Sequence, residues 1–374
     1  MTQRRSNAST NSVDARRPLH VLVVDDSAVV REIMGSVLSQ DPRLTVVTAA
    51  DPLIAMDKMK LTRPDVILLD LEMPRMDGLT FLRKLMAEDP IPVVVCSGIA
   101  PQGTETALRA LDEGALDIVT KPTLAVAEFL RESSVMLIDI VRAASCARVH
   151  RMGLPEDELA KRSFLTKATE AKADLPSEET IVAMGASTGG TDALRQVLKG
   201  LPYDGPGCVI VQHMPAPFTA PFAARLDSCC DMEVNEAKPG DRVLPGRALI
   251  APGDRHILVR RQDRGYVIEM AGGGLVSRHR PSVDVLFHSV AEAAGRHAVG
   301  VILTGMGRDG AEGLLAMKDS GADTIAQDER SCAVFGMPRE AIALGAVDDV
   351  AALSDIPAAI LMYTANSAQS RRTR

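Results

Sequence analysis

Aromatic residues are scarce in this chain: three Tyr, seven Phe and no Trp among 374 residues, 3% in all. A platform of stacked rings for single-stranded nucleic acid therefore lacks its material. There is no surplus of positive charge either. Lys and Arg total 42 against 49 Asp and Glu, a net charge of −7, which excludes nucleic acid as the main partner. No apolar run approaches the roughly 20 residues that cross a bilayer, and the first residues lack the apolar stretch of a secretory leader. Membrane insertion is not expected, and a cytoplasmic location is. Six cysteines (Cys96, Cys146, Cys208, Cys229, Cys230, Cys332) form no CxxC pair, which fits neither a disulfide framework nor a zinc cluster.

What is present has the composition of a globular chain, 46% hydrophobic and 24% charged. At about 150 residues per domain its length suggests two or three domains. Residues 1–17 carry four Arg against one Asp and show no apolar period, so they read as a disordered basic arm. Residues 366–374 (NSAQSRRTR) read as a second disordered tail. Residues 141–179 balance their charges and are poor in branched apolar side chains, the composition of a linker. Two folded domains remain, 18–140 and 180–365.

In the first of these, apolar runs of buried-strand type alternate with helical periods. LHVLVV ends at Asp25-Asp26-Ser27, LTVVTA follows a helical stretch, DVILLD ends at Asp70, PVVVCS at Ser97, and LDIVT leads to Lys121. Five strand-then-helix units predict a parallel sheet covered on both faces, with its ligands at the carboxyl ends of the strands. Asp25, Asp26, Asp70, Ser97 and Lys121 fall at those ends. One acidic residue in such a place is ordinarily a solvated cap. Five polar residues closing four buried strands are a different matter. Three carboxylates repel unless a cation sits among them, and hard oxygen ligands suit Mg²⁺. A lysine nearby can pair with a carboxylate or a phosphoryl group, and aspartate is a competent phosphoryl nucleophile.

The stretches VVDDS, LLDLEMPRMDG, VVVCSG and VTKP resemble those of response-regulator receiver domains, which are flavodoxin-like. The resemblance implies that Asp70 is the phosphoacceptor, that Asp25 and Asp26 hold Mg²⁺ with it, that Ser97 follows the phosphoryl group, and that Lys121 is its ion-pair partner. It also implies a histidine kinase as phosphodonor. Three residues before the lysine the family usually carries Tyr or Phe; here it is Ile118, which argues against an aromatic rotamer as the signal carrier.

In the second domain TIVAMG reads as a strand and DALRQVLKGL as a helix, with Gly185-Ala186-Ser187-Thr188-Gly189-Gly190 between them. Strand, glycine-rich turn and helix is the setting of a nucleophile elbow, and Gly185-x-Ser187-x-Gly189 fits its pattern. A phosphate-binding turn or a plain tight connection fits it too. A serine of ordinary pKa needs a base. His213 closes the apolar strand CVIVQ, whereas His256, His279, His288 and His297 lie in less regular or helical settings. Asp309 follows the strand VGVILTG on another glycine-rich turn. Strands ending in Ser, His and Asp would converge on one sheet edge, as a triad requires. The chain order Ser, His, Asp departs from the Ser, Asp, His order of ordinary α/β-hydrolases.

GASTGGTDAL, VIVQHMP, SRHRPSVDVLF, VILTGMGRDGAEGL and VFGMPREAI resemble the catalytic domain of chemotaxis protein-glutamate methylesterases. By this resemblance the second domain is a Rossmann-like α/β domain, so the chain has two doubly wound parallel sheets. Ser187 is then nucleophile, His213 base and Asp309 orienting acid, Met306 an oxyanion donor through its backbone, and Thr188 a positioning residue. No cofactor is expected for this site. The implied substrates are methyl-accepting chemoreceptors, hydrolysed at glutamate methyl esters and deamidated at specific glutamines, with the receiver covering the Ser187–His213 edge until Asp70 is phosphorylated. Arg255, Arg260, Arg261, Arg264, Arg278 and Arg280 form a basic stretch that could meet acidic receptor helices. A receiver-controlled module that binds without hydrolysis, or a relative serving a non-flagellar receptor array, is the alternative. A DNA-binding regulator would need a basic helix-turn-helix after the linker, and none is present.

Overall fold

The computed structural model describes residues 17–98, 100–121, 127–147, 180–263 and 265–369. The arm 1–16, most of the linker and the last five residues lie outside them. The first domain comprises β1 (Leu19–Val24), α1 (Ala28–Leu38), β2 (Leu44–Ala49), α2 (Pro52–Leu61), β3 (Val66–Asp70), α3 (Gly78–Glu88), β4 (Val93–Ser97), α4 (Pro101–Asp112), β5 (Asp117–Thr120) and α5 (Ala127–Ser145). Its five strands are parallel in the order β2-β1-β3-β4-β5. Every residue of β3 and β4 is buried, as their unbroken apolar runs require of strands covered on both faces.

The expected boundary at residue 140 falls inside α5, which continues to Ser145 with Val141, Ala143 and Ala144 buried. Three apolar contacts outweigh the balanced charge that made this stretch look like linker. Arg17, read as part of the arm, pairs with Asp65.

The second domain contains β6 (Ile181–Ala186), α6 (Gly190–Lys199), β7 (Gly207–Gln212), α7 (Ala216–Asp227), β8 (Glu233–Glu236), β9 (Arg242–Val243), β10 (Arg247–Ile250), β11 (His256–Gln262), β12 (Gly265–Ala271), α8 (Val283–Ala294), β13 (Ala298–Ile302), α9 (Ala311–Asp319), β14 (Asp323–Gln327), α10 (Met337–Ala343), β15 (Asp349–Ala351) and α11 (Ile356–Gln369). Seven strands form a parallel sheet in the order β15-β14-β13-β6-β7-β10-β8. A small antiparallel sheet, β11-β12-β9, stands beside it. The C-terminal helix runs to Gln369, four residues into the stretch read as a tail.

Both large sheets reverse their direction of growth once, between β1 and β3 in the first domain and between β6 and β13 in the second. Neighbouring loops diverge at such a point and leave a crevice beyond the strand ends. Both polar clusters lie there.

Candidate functional site

In the first domain Asp25, Asp26 and Asp70 bring one carboxylate oxygen each within 4.8 Å of one another. Lys121 Nζ lies 2.7 Å from Asp70 Oδ2 and 3.1 Å from Asp25 Oδ2. These two inner oxygens are buried and have no hydrogen bond beyond this ion pairing. Burial raises the Asp70 carboxyl above its usual range, Lys121 and the Glu72 N–H only partly offsetting this while Asp25 adds to it. Lys121 is itself raised: its partial burial opposes the charge, but the two carboxylates outweigh it. Two buried carboxylate oxygens that only a lysine meets, with the exposed Asp26 carboxylate beside them, are the donor chemistry of a hard divalent cation.

Gly78 follows the helix-capping Asp77 for a steric reason: a Cβ there would meet the Asp70 carbonyl at 2.1 Å. Ser97 is at the strand end as expected, but its hydroxyl donates to the carbonyls of Gly98 and Gly103 (3.1 and 3.0 Å) and makes no bond to Asp70. Ile118 is buried, so no aromatic ring occupies the position where such a switch would turn.

In the second domain His213 N–H donates to Ala186 O (3.0 Å), which sets His213 beside Ser187 at the ends of adjacent strands. Gln212 Nε2 donates to the carbonyls of both Ser187 and His213 (2.9 and 3.1 Å) and ties the two together. The Ser187 N–H donates to Thr304 O (3.0 Å) in the β13 extension. Ser187 keeps a negative φ; the left-handed conformation falls on Gly189 (φ +76°), where a Cβ would also meet Ala333 at 2.5 Å. The turn is thus an elbow whose strain is carried by a glycine.

His213 Nε2 lies 2.8 Å from Asp309 Oδ2. Asp309 is 1% exposed and sits at the N-terminus of α8. Its carboxylate accepts from Ser282 Oγ (2.7 Å), Val283 N–H (2.8 Å) and Asp284 N–H (3.1 Å). Burial alone would raise its pKa, but the His213 bond and charge, with the Val283 and Ser282 donors, hold it well below the usual range. A fixed carboxylate assigns the proton to His213 Nε2 and leaves Nδ1 as the basic nitrogen. Nδ1 is buried and has no partner, and Ser187 Oγ makes no hydrogen bond to it in this state. The Met306 N–H donates to no acceptor among the described residues.

The first domain closes over this edge. The Gly189 N–H donates to Leu116 O (3.2 Å), and Thr188 Oγ1 to Asp117 Oδ2 (2.9 Å). Arg278 pairs with Asp139 (2.9 Å) and Arg225 with Asp112, while α4 lies along α7. Asp117 is buried by this closure and its carboxyl is pushed up to about 6, against the pull of the Thr188 and Ile118 donors and of His213.

All the expected site residues stand at the two crevices. Sequence reasoning missed Asp117, the anchors Ser282 to Asp284, and His279, whose ring stacks on His213. The last four lie in SRHRPSVDVLF, a stretch recognised as a whole in which only Arg278 and Arg280 were given a part. The basic stretch is only partly available. Arg260 pairs with Glu269, Arg261 lies over the Tyr266 ring, and Arg280 donates to Gly273 O; Arg264 is outside the described residues.

A receiver-type domain joined to an α/β domain that carries serine, histidine and aspartate at one sheet edge is the class that fold and site define. Residues 182–360 match the family model of the CheB methylesterase, and residues 21–130 that of the response regulator receiver domain. A protein-glutamate methylesterase/protein-glutamine glutaminase of Anaeromyxobacter dehalogenans is 57% identical over 92% of this chain and 96% of its own. One from Shewanella denitrificans is 51% identical over 91% of this chain and 99% of its own. Among solved structures, the methylesterase catalytic domain of Thermotoga maritima CheB is 38% identical over 49% of this chain and 97% of that one, with a TM-score of 0.48. The chain belongs to the protein-glutamate methylesterase/protein-glutamine glutaminase family.

Proposed function

We propose that this chain is a phosphorylation-activated serine hydrolase acting on methyl-accepting chemoreceptors in the cytoplasm. It removes methyl groups from glutamate γ-methyl esters and deamidates specific glutamines. The observation that carries this reading is the His213–Asp309 pair beside Ser187 at the switch point of the second sheet. Ser187 Oγ attacks the side-chain carbonyl while His213 Nδ1 takes its proton. Backbone N–H groups around Met306 receive the developing oxyanion, and Thr188 helps to position the substrate. His213 then returns the proton to the leaving methanol, or to ammonia in deamidation. A water activated by the same nitrogen cleaves the acyl-enzyme and frees the glutamate.

In the receiver, Asp25, Asp26 and Asp70 would hold Mg²⁺, whose charge offsets that of an incoming phosphoryl group. Asp70 is the nucleophile towards a phosphohistidine of the chemotaxis kinase. Lys121 then pairs with the added phosphoryl oxygens, and Ser97 gives up its two carbonyl acceptors to follow them. Leu116, Asp117 and Asp139 occupy the mouth of the hydrolase site until that rearrangement, so phosphorylation shifts the balance towards the open form.

Methanol release from methylated receptor tests the chemistry: wild type releases it and Ser187→Ala does not. Release by Ser187→Ala at the wild-type rate would end the serine-hydrolase reading. A small-molecule phosphodonor should raise the wild-type rate and leave Asp70→Asn unchanged.

A further inference from the structure

We propose that His279 is a positioning residue for the hydrolysis, holding the ring of His213 by face-to-face stacking. The two imidazoles lie 3.6 Å apart between centroids and 5° from parallel. His279 reaches that place through a tight turn. Val276 and His279 exchange two backbone hydrogen bonds (3.0 and 2.8 Å), and the two residues between them, Ser277 and Arg278, both have positive φ (50° and 70°). This is the geometry of a two-residue hairpin turn, which normally takes Asn-Gly or another glycine pair. Two consecutive side-chain-bearing residues in the left-handed region are strained, and such strain persists only where the surroundings impose it. What the turn delivers is the His279 ring.

The ring nitrogens of His279 make no hydrogen bond to the described protein, so its contact with the site is through its face. That distinguishes it from His256, whose Nδ1 accepts from Ser282 N–H (3.2 Å) and whose Nε2 reaches Gly274 O (3.0 Å). His256 pins the loop; His279 covers the base. Asp309 fixes one edge of His213 at a single point, about which the ring can still swing. A flat surface against the ring face removes that freedom and aims Nδ1 along the sheet edge towards Ser187.

Charge agrees with this geometry. Burial, then the neighbouring charges of His213 and Arg278, push His279 down to about 3, against the pull of Asp309. In the closed state it is therefore neutral and does not compete for the proton. A neutral aromatic face also tolerates the imidazolium that forms during the reaction. The charged groups facing the pair are Arg278 on the turn itself, Asp309 beyond β13 and, in the closed state, Asp117 at the start of β5.

This inference rests on the reading of His213 as the base, and the test separates the two. In the phosphorylated full-length enzyme, His279→Ala should lower kcat by about 10- to 30-fold with KM within about twofold, roughly 1.4–2 kcal/mol of barrier. It should also move the acid limb of the kcat/KM profile upward, because water reaches the exposed face of His213 and stabilises its charged form. His279→Phe keeps a stacked ring and should restore most of kcat and return the limb to its place. Independently of turnover, the His213 ring protons should lose their ring-current shift in His279→Ala and keep one in His279→Phe. The inference is overturned by a folded His279→Phe as impaired as His279→Ala, by an unmoved acid limb, or by His279→Ala turning over like wild type. Should Ser187→Ala, assayed alongside, retain activity, the triad reading fails instead, while the ring-current result still reports on the stacking.

Discussion

The two domains use one architecture to opposite electrostatic ends. Each gathers polar side chains where a parallel sheet reverses direction, and each buries an aspartate there. Asp309 is surrounded by donors: a hydroxyl, two backbone amides at a helix N-terminus, and the His213 ring. Asp70 faces another carboxylate, and its inner oxygen is met by a single lysine and nothing else. The first aspartate is satisfied before any substrate arrives, and the second waits for a ligand. A site that must be ready at every encounter is pre-organised, whereas a site that must switch is left unsatisfied.

The most forceful way to break this contrast is Asp309→Ala. It should lower methanol release by on the order of 10³–10⁴-fold, as expected when the orienting acid of a triad is lost. It should also destabilise the catalytic domain by about 2–4 kcal/mol in thermal denaturation, since Ser282 Oγ and the Val283 and Asp284 amides are left without an acceptor. The two carboxylates should moreover respond oppositely to acid. The lowered pKa of Asp309 gives stability that is present above the unfolded value near 3.9 and lost as pH falls through the folded one. The raised pKa of Asp70 makes its ionised form a burden on the folded receiver. That burden grows as pH rises from the unfolded value through the folded one and is relieved in acid.

Asp117→Asn sharpens the comparison at the boundary between the domains. The buried carboxyl, pushed up to about 6, opposes closure when it is ionised. Closure should thus be tightest in acid and weaken as pH rises from about 4 to 6. The neutral isostere should keep the Thr188 bond and lower basal, unphosphorylated release about tenfold at pH 7, with a flatter pH dependence between pH 5 and 7. Equal inhibition of both proteins across that range would contradict the account. A smaller effect on stability is expected of Asp70→Asn, which should raise that of the receiver by about 1 kcal/mol while abolishing its activation, because burial, with Asp25 beside it, disfavours the ionised carboxylate more than Lys121 supports it. Smallest is Arg278→Ala. Its bond to Asp139 is exposed on the arginine side, and surface pairs contribute about 0–1 kcal/mol, so basal release should rise no more than about threefold.

Much of this was legible in the sequence because parallel strands covered on both faces announce themselves as unbroken apolar runs. Their polar terminators, Asp25, Asp70, Ser97, Ser187 and His213, are then easy to place. The extent of α5 was not, since the balanced charge of the following stretch hid the burial of Val141, Ala143 and Ala144. Nor could the strand ends tell which nitrogen of His213 meets Asp309, or that the Ser97 hydroxyl turns to Gly98 and Gly103; these depend on side-chain torsions. Contacts between distant segments, such as Thr188 with Asp117, leave no local pattern. The turn carrying His279 was hidden for another reason: Ser277 and Arg278 are residues that ordinarily argue against the conformation they adopt.

The closure at Leu116 and Asp117 has a consequence for inhibitor chemistry. A main-chain carbonyl and the carboxylate of the very next residue grip the amide of Gly189 and the hydroxyl of Thr188, on either side of one peptide unit next to Ser187. That two-point grip is small enough to be carried by a capped Leu-Asp fragment. A fragment of that kind would compete with the receiver's own Leu116 and Asp117 for the Gly189 amide and the Thr188 hydroxyl.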